Sequence, residues 1–166
     1  VLHDPPKQDI LEAVGRLKNL GVSLKLITGD NRLVAAHLAQ SIGLRTLEVL
    51  DGKSLHKMTN EALARRIDHT DVFAEIEPSQ KERIVKLLQK KGHVVGFVGD
   101  GINDASAIRT ADVGISIDNA VDVAKEAADI VLLENNLDIL SEGVIEGRKT
   151  FVNTLNYIYI TTSANF

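Results

Sequence analysis

The sequence predicts an α/β fold of the doubly wound kind, a mostly parallel sheet with helices on both faces. Short β-prone runs alternate with segments whose apolar residues recur at helical spacing, which is the pattern of βαβ units with right-handed crossovers. The chain has 166 residues, 44% of them apolar, enough for one sizeable buried core and by default a single soluble domain. Two of the runs end in polar clusters rich in Gly and Asp, and sheets of this kind place their chemistry just beyond the carboxyl ends of the strands.

The elements follow in order. Ile10, Leu11, Val14, Leu17 and Leu20 repeat at helical spacing, and Asn19-Leu20-Gly21 stops that helix. Val22 to Ile27 is a strand ending in Thr28-Gly29-Asp30, from which Leu33, Ala36, Leu38 and Ile42 mark a helix running to Gly43. The stretch from about Arg45 to Thr70 shows no clear period. Val72-Phe73-Ala74 is the next strand, and Pro78-Ser79-Gln80 opens a helix carrying Ile84, Leu87 and Leu88 that closes at Lys91-Gly92. His93 to Val98 reads as a fully buried strand, and Gly99-Asp100-Gly101 leads into a short helix near Asn103. Short strands are expected around Val113 to Ile117 and Ile130 to Leu133, with a helix through Val121 to Ala127 between them. A long final helix carries Leu137, Leu140, Val144, Phe151, Leu155 and Ile158 on one face.

Composition removes several function classes. The 19 Lys+Arg against 23 Asp+Glu leave a net charge of −4 with no basic block, so no nucleic-acid partner is expected. With no Cys there are no disulfides, thiolate nucleophiles or iron–sulfur ligands, which points to an intracellular setting. The five histidines, His3, His37, His56, His69 and His93, show no paired ligand spacing and are given no role. The start has neither the basic nor the apolar region of a signal peptide and no initiator Met, so the sequence reads as an excerpt. Phe151, Tyr157, Tyr159 and Phe166 are four of the six aromatic residues, and nothing after Lys149 is charged. That tail is too polar to span a membrane by itself; it suits the mouth of a span or an ordinary amphipathic helix.

Thr28-Gly29-Asp30 puts a hydroxyl, a flexible backbone N–H and a carboxylate at a helix start, where a phosphate is the natural guest. Taken alone, the same three residues serve equally as an N-cap and turn. In Gly99-Asp100-Gly101-Ile102-Asn103-Asp104, three side-chain oxygen donors flank glycines that let the backbone approach a ligand, a composition suited to Mg²⁺ and richer than a cap requires. Lys81 stands in the first turn of a helix, where the dipole disfavours a cation; it could reach across to the strand ends and neutralise a phosphoryl oxygen, or simply stand solvated as helix-start lysines more often do. Together these are parts for in-line phosphoryl transfer, but no Asp at a strand end has the Thr-rich turn of an aspartyl-phosphate nucleophile.

Asp4-Pro5-Pro6-Lys7, Thr28-Gly29-Asp30, Lys81 and Gly99-Asp100-Gly101-Ile102-Asn103-Asp104, in this order, resemble the phosphorylation domain of P-type cation-transporting ATPases. The likeness covers essentially the whole chain. Val94-Val95-Gly96-Phe97, Ile115-Ser116-Ile117-Asp118 and Glu142 to Arg148 look closest to the bacterial magnesium-importing branch. The resemblance implies a haloacid-dehalogenase-like fold lacking its nucleophile-bearing strand, with residues 1–149 in the cytoplasmic phosphorylation domain and 150–166 in a stalk helix leading to a membrane span.

By the same resemblance, Asp100 ligates Mg²⁺ and Asp104 supports that metal site, Asn103 lies at the phosphoryl group, Thr28 and Gly29 hold its oxygens, and Lys81 neutralises them. Asp4 and Asp30 would sit near the nucleotide or the hinge toward its domain. The implied cofactors are Mg²⁺ and, in the full-length parent, ATP. The implied partners are the parent's own nucleotide-binding, actuator and transmembrane domains and the transported cation, at the cytoplasmic side of the plasma (inner) membrane.

The chain departs from the family pattern twice, with Ala105-Ser106 in place of Ala-Pro and with Glu75 where members usually have Arg, which reverses a charge near the nucleotide. Without its nucleophile the chain by itself is expected neither to phosphorylate itself nor to hydrolyse ATP. The missing strand belongs between the strand ending at Thr28 and the one ending at Asp100. Those two strands are expected to close on each other, or to associate with another segment or copy of the chain. The rival readings are a soluble phosphatase of the same superfamily and a non-catalytic module binding Mg²⁺ or a phospho-ligand.

Overall fold

The computed structural model describes residues 8–134 and 138–163. In chain order the elements are α1 (Gln8–Asn19), β1 (Leu26–Ile27), α2 (Arg32–Ser41), β2 (Val49–Asp51), α3 (Gly52–Lys57), α4 (Asn60–Arg66), β3 (Val72–Ala74) and α5 (Pro78–Lys90). They continue with β4 (Gly96–Val98), a single 3-10 turn (Ile102–Asp104), α6 (Ala105–Thr110), β5 (Val113–Ile117), α7 (Asp122–Ala127), β6 (Ile130–Leu132) and α8 (Asp138–Ser163). Contacts divide them into two compact units, one holding the elements from β1 through β6, the other α1 and α8.

The larger unit contains two three-stranded parallel sheets, ordered β1-β3-β2 and β4-β5-β6. Successive strand residues face opposite sides, so β3 splits the core. Phe73 packs with Leu50, Leu55, Leu63, Ile67, Ile84 and Leu88 beneath α3, α4 and α5, while Val72 and Ala74 pack on the other face with Ala35 and Ala39 of α2. The second sheet buries Phe97 against Ala107, Ile108 and Ala124 of α6 and α7, and α5 serves both sheets by sending Val85 into this cluster. The expected alternation and the helices on both faces are therefore present.

Two expectations need correction and two open readings are narrowed. The strand after α1 is only Leu26–Ile27; just before it, the Lys25 ammonium reaches the carbonyl oxygens of Ile67 and Thr70, at 2.7 Å each. The strand expected to be fully buried over 93–98 pairs only from Gly96. Phe97 alone of its residues is buried, whereas Val94 is 84% exposed and Val98 43%, since β4 has a neighbour on one side only. β1 and β4 do not close on each other, although Ile27 and Val95 each pack against the cores of both sheets. The stretch that showed no period holds β2, α3 and α4.

In the smaller unit α1 buries Ala13, Val14 and Leu17 and packs with α8. Arg16 lies 3.5 Å from the Asp138 carboxylate, and Arg148 donates to the carbonyl oxygen of Leu20 at 2.7 Å. α8 runs unbroken through residue 150, and Phe151, Tyr157, Ile158, Tyr159 and Ile160 along it are about half to two-thirds exposed. Leu137 lies outside the described residues. No helix among the described residues is long and apolar enough to cross a membrane.

Candidate functional site

The turn after β1 is tied down from both ends. Ile76 N–H donates to the Thr28 carbonyl at 3.0 Å and Glu75 N–H to the Asp30 carbonyl at 2.9 Å, extending the β1–β3 ladder past its last strand residue. The Thr28 hydroxyl donates to Asp30 Oδ2 at 3.0 Å and accepts the Asp30 amide at 3.1 Å, so the two side chains form one closed turn with Gly29 exposed at its tip. The helix start behind it is not open to an anion. Asn31 Oδ1 accepts the Leu33 and Val34 amides at 3.0 Å each, and Glu75 Oε1 accepts the Arg32 amide at 3.4 Å. The amides of this helix start are therefore taken: the Gly29 backbone is open, and the Thr28 hydroxyl, which donates to Asp30, could serve a phosphoryl group only by releasing that carboxylate.

Lys81 and Asp104, 23 positions apart in sequence, meet directly. Lys81 Nζ is 2.6 Å from Asp104 Oδ1, with side chains only 11% and 12% exposed. The other carboxylate oxygen accepts the Gly101 amide at 3.2 Å. Burying an ammonium or a carboxylate singly costs several kcal/mol, so each residue makes the other's position tenable. Lys81 is therefore not the solvated side chain that its place at a helix start suggested. An ammonium has three N–H donors, and one is committed to Asp104, which leaves Lys81 able to serve a second oxygen.

Asp104 is thus engaged, whereas Asp100 and Asn103 are exposed on the same loop. Among the described residues the Asp100 carboxylate has no hydrogen-bond or ion-pair partner. Its backbone is fixed, because Val121 N–H donates to its carbonyl at 3.1 Å and Ser116 Oγ donates to the Gly99 carbonyl at 3.1 Å. A side chain at Gly99 would press on Asp104, with Cβ 2.5 Å from Cβ, so only glycine lets the loop fold back onto that carboxylate. Among the described residues no three of His, Asp and Glu gather closely enough to cage a metal. Mg²⁺ needs no such cage, since it keeps several waters and takes one or two carboxylates, and an open Asp100 with Asn103 beside it fits that demand. Asp4 lies outside the described residues.

The structure adds supports that periodicity did not reveal. Gln80 accepts the Glu77 amide at 3.0 Å and donates to the Gly52 carbonyl at 2.9 Å, while Arg83 donates to the carbonyl oxygens of Leu55 and Met58 and to Asn60 Oδ1. These bonds lash α3 and the start of α4 to the helix that carries Lys81. Asp51 caps α3 through the Ser54 amide at 2.7 Å, a bond that holds its carboxyl below the usual range. Asp51-Gly52 and Thr59-Asn60-Glu61 were the available signals, each an N-cap residue at a helix start.

A second polar knot lies at the opposite, amino ends of β1 and β3. Arg45 grips Asp71 through two hydrogen bonds of 2.7 and 2.8 Å, and Lys25 Nζ is 3.8 Å from the same carboxylate. Burial pushes the Asp71 pKa up, but the Arg45 bonds and charge, with Lys25, outweigh it and leave it lowered. Burial also lowers the Lys25 pKa against the pull of Asp71. Being remote from the strand ends that carry Thr28 and Asp100, this knot holds the sheet together.

Comparison with known proteins agrees with this architecture. The model of the haloacid dehalogenase-like hydrolases matches residues 1–112. The chain is 53% identical over 163 residues to magnesium-transporting ATPase, P-type 1, of Escherichia coli K12, covering 98% of this chain and 18% of that protein. It is 38% identical over 162 residues to a putative cation-transporting ATPase of Methanocaldococcus jannaschii, covering 95% of the chain and 20% of that protein. It is 36% identical over 169 residues to calcium-transporting ATPase 1 of Saccharomyces cerevisiae, covering 99% and 18%. The chain therefore spans about a fifth of the length of these relatives. Among solved structures, the catalytic domain of the CPx-ATPase CopB-B superposes with a TM-score of 0.62 at 26% identity, over 81% of this chain and 44% of that one. The match of the family model over two thirds of the chain, with these likenesses, shows that the chain belongs to the haloacid dehalogenase-like hydrolases and is similar over nearly all its length to segments of P-type cation-transporting ATPases.

Proposed function

We propose that this chain is the phosphoryl-transfer segment of an ATP-driven cation pump, binding Mg²⁺ and an aspartyl-phosphate, with Mg²⁺ itself or another cation as cargo. The observation that carries the proposal is the buried Lys81–Asp104 pair, which draws two separate motifs to one place beside the open Asp100. Lys81, held by Asp104, presents its remaining N–H donors to a phosphoryl oxygen. The Gly29 amide, and the Thr28 hydroxyl on releasing Asp30, would orient the same group, with Asn103 at the phosphoryl group. Asp100 would hold Mg²⁺, which neutralises charge on the transferring phosphoryl group when bound. Asp104 supports that site by fixing Lys81 and the Gly101 amide, while Asp4 and Asp30 would serve near the nucleotide or the hinge toward its domain.

The nucleophile belongs to a strand outside these 166 residues, entering between β1 and β4; the exposure of Val94 and Val98 along β4 supports such a neighbour. The chain alone then forms no phosphoenzyme, and ATP reaches the site through the parent's own nucleotide-binding domain. The exposed aromatic length of α8 supports a stalk toward a membrane span, with this segment on the cytoplasmic side. The higher identity to the magnesium transporters than to the calcium transporter supports Mg²⁺ as cargo.

In the complete protein, incubation with radiolabelled ATP and Mg²⁺ should give an acid-stable phosphoenzyme and ion uptake into vesicles, and Asp100→Ala should abolish both. Phosphoenzyme at the wild-type level in Asp100→Ala would remove the metal assignment. Phosphomonoester hydrolysis without ion uptake would favour a phosphatase.

A further inference from the structure

Glu75 is, among the described residues other than glycine, the one with a left-handed backbone, φ +54°. That region crowds the Cβ of an L residue, so glycine or asparagine would be the easier occupant and a glutamate there calls for a reason. Its backbone and its side chain each supply one. The Glu75 amide donates to the Asp30 carbonyl, and the next amide, of Ile76, donates to the Thr28 carbonyl, so the reversal after β3 clamps the Thr28-Gly29-Asp30 turn. The Glu75 carbonyl lies where a Cβ on Gly52 would fall, and Gly52 is bonded through its own carbonyl to Gln80, the residue before Lys81. The side-chain Oε1 accepts the Arg32 amide, the donor of the first turn of α2 that Asn31 does not reach.

We infer that Glu75 is a positioning residue for phosphoryl transfer, setting the turn of Thr28 and Gly29 against the helix that bears Lys81. The left-handed backbone joins the turn to Gly52 and so to the start of α5. The carboxylate keeps α2 from drifting away from that junction and fills the anion position at its start. A transferring phosphate is thereby confined to the Thr28–Lys81 side. The inference rests on the phosphoryl-transfer reading above.

The test uses the complete protein and three variants. Glu75→Gln keeps the acceptor oxygen, Glu75→Gly keeps the backbone and loses the side chain, and Glu75→Val opposes the left-handed backbone. Phosphoenzyme formation is followed against ATP concentration, and exchange of the Arg32 amide by hydrogen–deuterium measurement. Glu75→Gln should stay within about twofold of wild type. Glu75→Gly should lose on the order of tenfold in maximal rate with half-saturating ATP unchanged, because orientation rather than nucleotide binding is impaired, and its Arg32 amide should exchange faster. Glu75→Val should lose more than Glu75→Gly. Wild-type rate and exchange in Glu75→Gly, or a loss expressed as higher half-saturating ATP, would overturn the inference. A wild-type protein that forms no phosphoenzyme would instead overturn the reading beneath it, and the Arg32 exchange rates would still report whether Glu75 holds the turn.

Discussion

Removing Lys81 should damage the protein far more than removing an ordinary helix-start lysine. In Lys81→Met the Asp104 carboxylate keeps the Gly101 amide but loses the ammonium at 2.6 Å, in a place where its side chain is only 12% exposed. At that separation and an effective dielectric of about 20, the lost attraction is about 6 kcal/mol. Part of it is offset because the ammonium no longer needs dehydrating, so the net cost should be about 3–5 kcal/mol. Asp104→Leu, which leaves the ammonium buried without its partner, should cost a similar amount from the other side. The double variant Lys81→Met/Asp104→Leu leaves neither charge buried and should recover most of the loss, giving a coupling of at least ~2 kcal/mol. Urea denaturation of the four proteins, with midpoints and slopes fitted together, measures the cycle. Two single variants each costing under ~1 kcal/mol, with additive effects, would show that the pair is solvated. The argument for a shared buried anchor would then fail.

Two further predictions follow from the packing and the charges. Gly52→Ala places a methyl group on the Glu75 carbonyl oxygen and 2.9 Å from Gln80 Oε1, so backbone must move; destabilisation of ~1–3 kcal/mol is expected, and an unchanged melting temperature would contradict it. Asp71→Asn should weaken the chain by ~2 kcal/mol near neutral pH by breaking the Arg45 grip. Because the folded pKa of Asp71 is lowered, its stabilisation is complete above its unfolded value of about 4 and fades as pH falls through the folded value. Denaturation midpoints of wild type and variant should therefore converge in acid, and a gap that stays constant down to pH ~2 would refute the linkage.

The elements legible in the sequence were those long enough to show a period or sharply ended by polar turns. α5 announced itself through Pro78 and a stripe of Ile84, Leu87 and Leu88, all of which are buried. β3 and β5 stood out as short β-prone runs. The six-residue α3 and seven-residue α4 complete too few turns for a stripe, and the caps at Asp51 and Thr59 that could have signalled them went unread. The limits of β1 and β4 depended on backbone partners that an apolar run does not encode, each strand pairing with a single neighbour. In the site, the oddity of Lys81 was readable and its partner was not, because nothing local links it to Asp104. Glu75 was noticed for its charge; its left-handed backbone had no sequence signal, since glycine is what such a position normally advertises.

The pairing of α1 with α8 has a consequence for how the protein comes into being. Leu20 and Arg148 are 128 positions apart, so the opening helix of this chain finds its companion only after everything between them has been made. Until then the face of α1 that packs on α8 lacks that cover, a reason for this pairing to finish late. A truncation within α8 would leave that early helix without a mate.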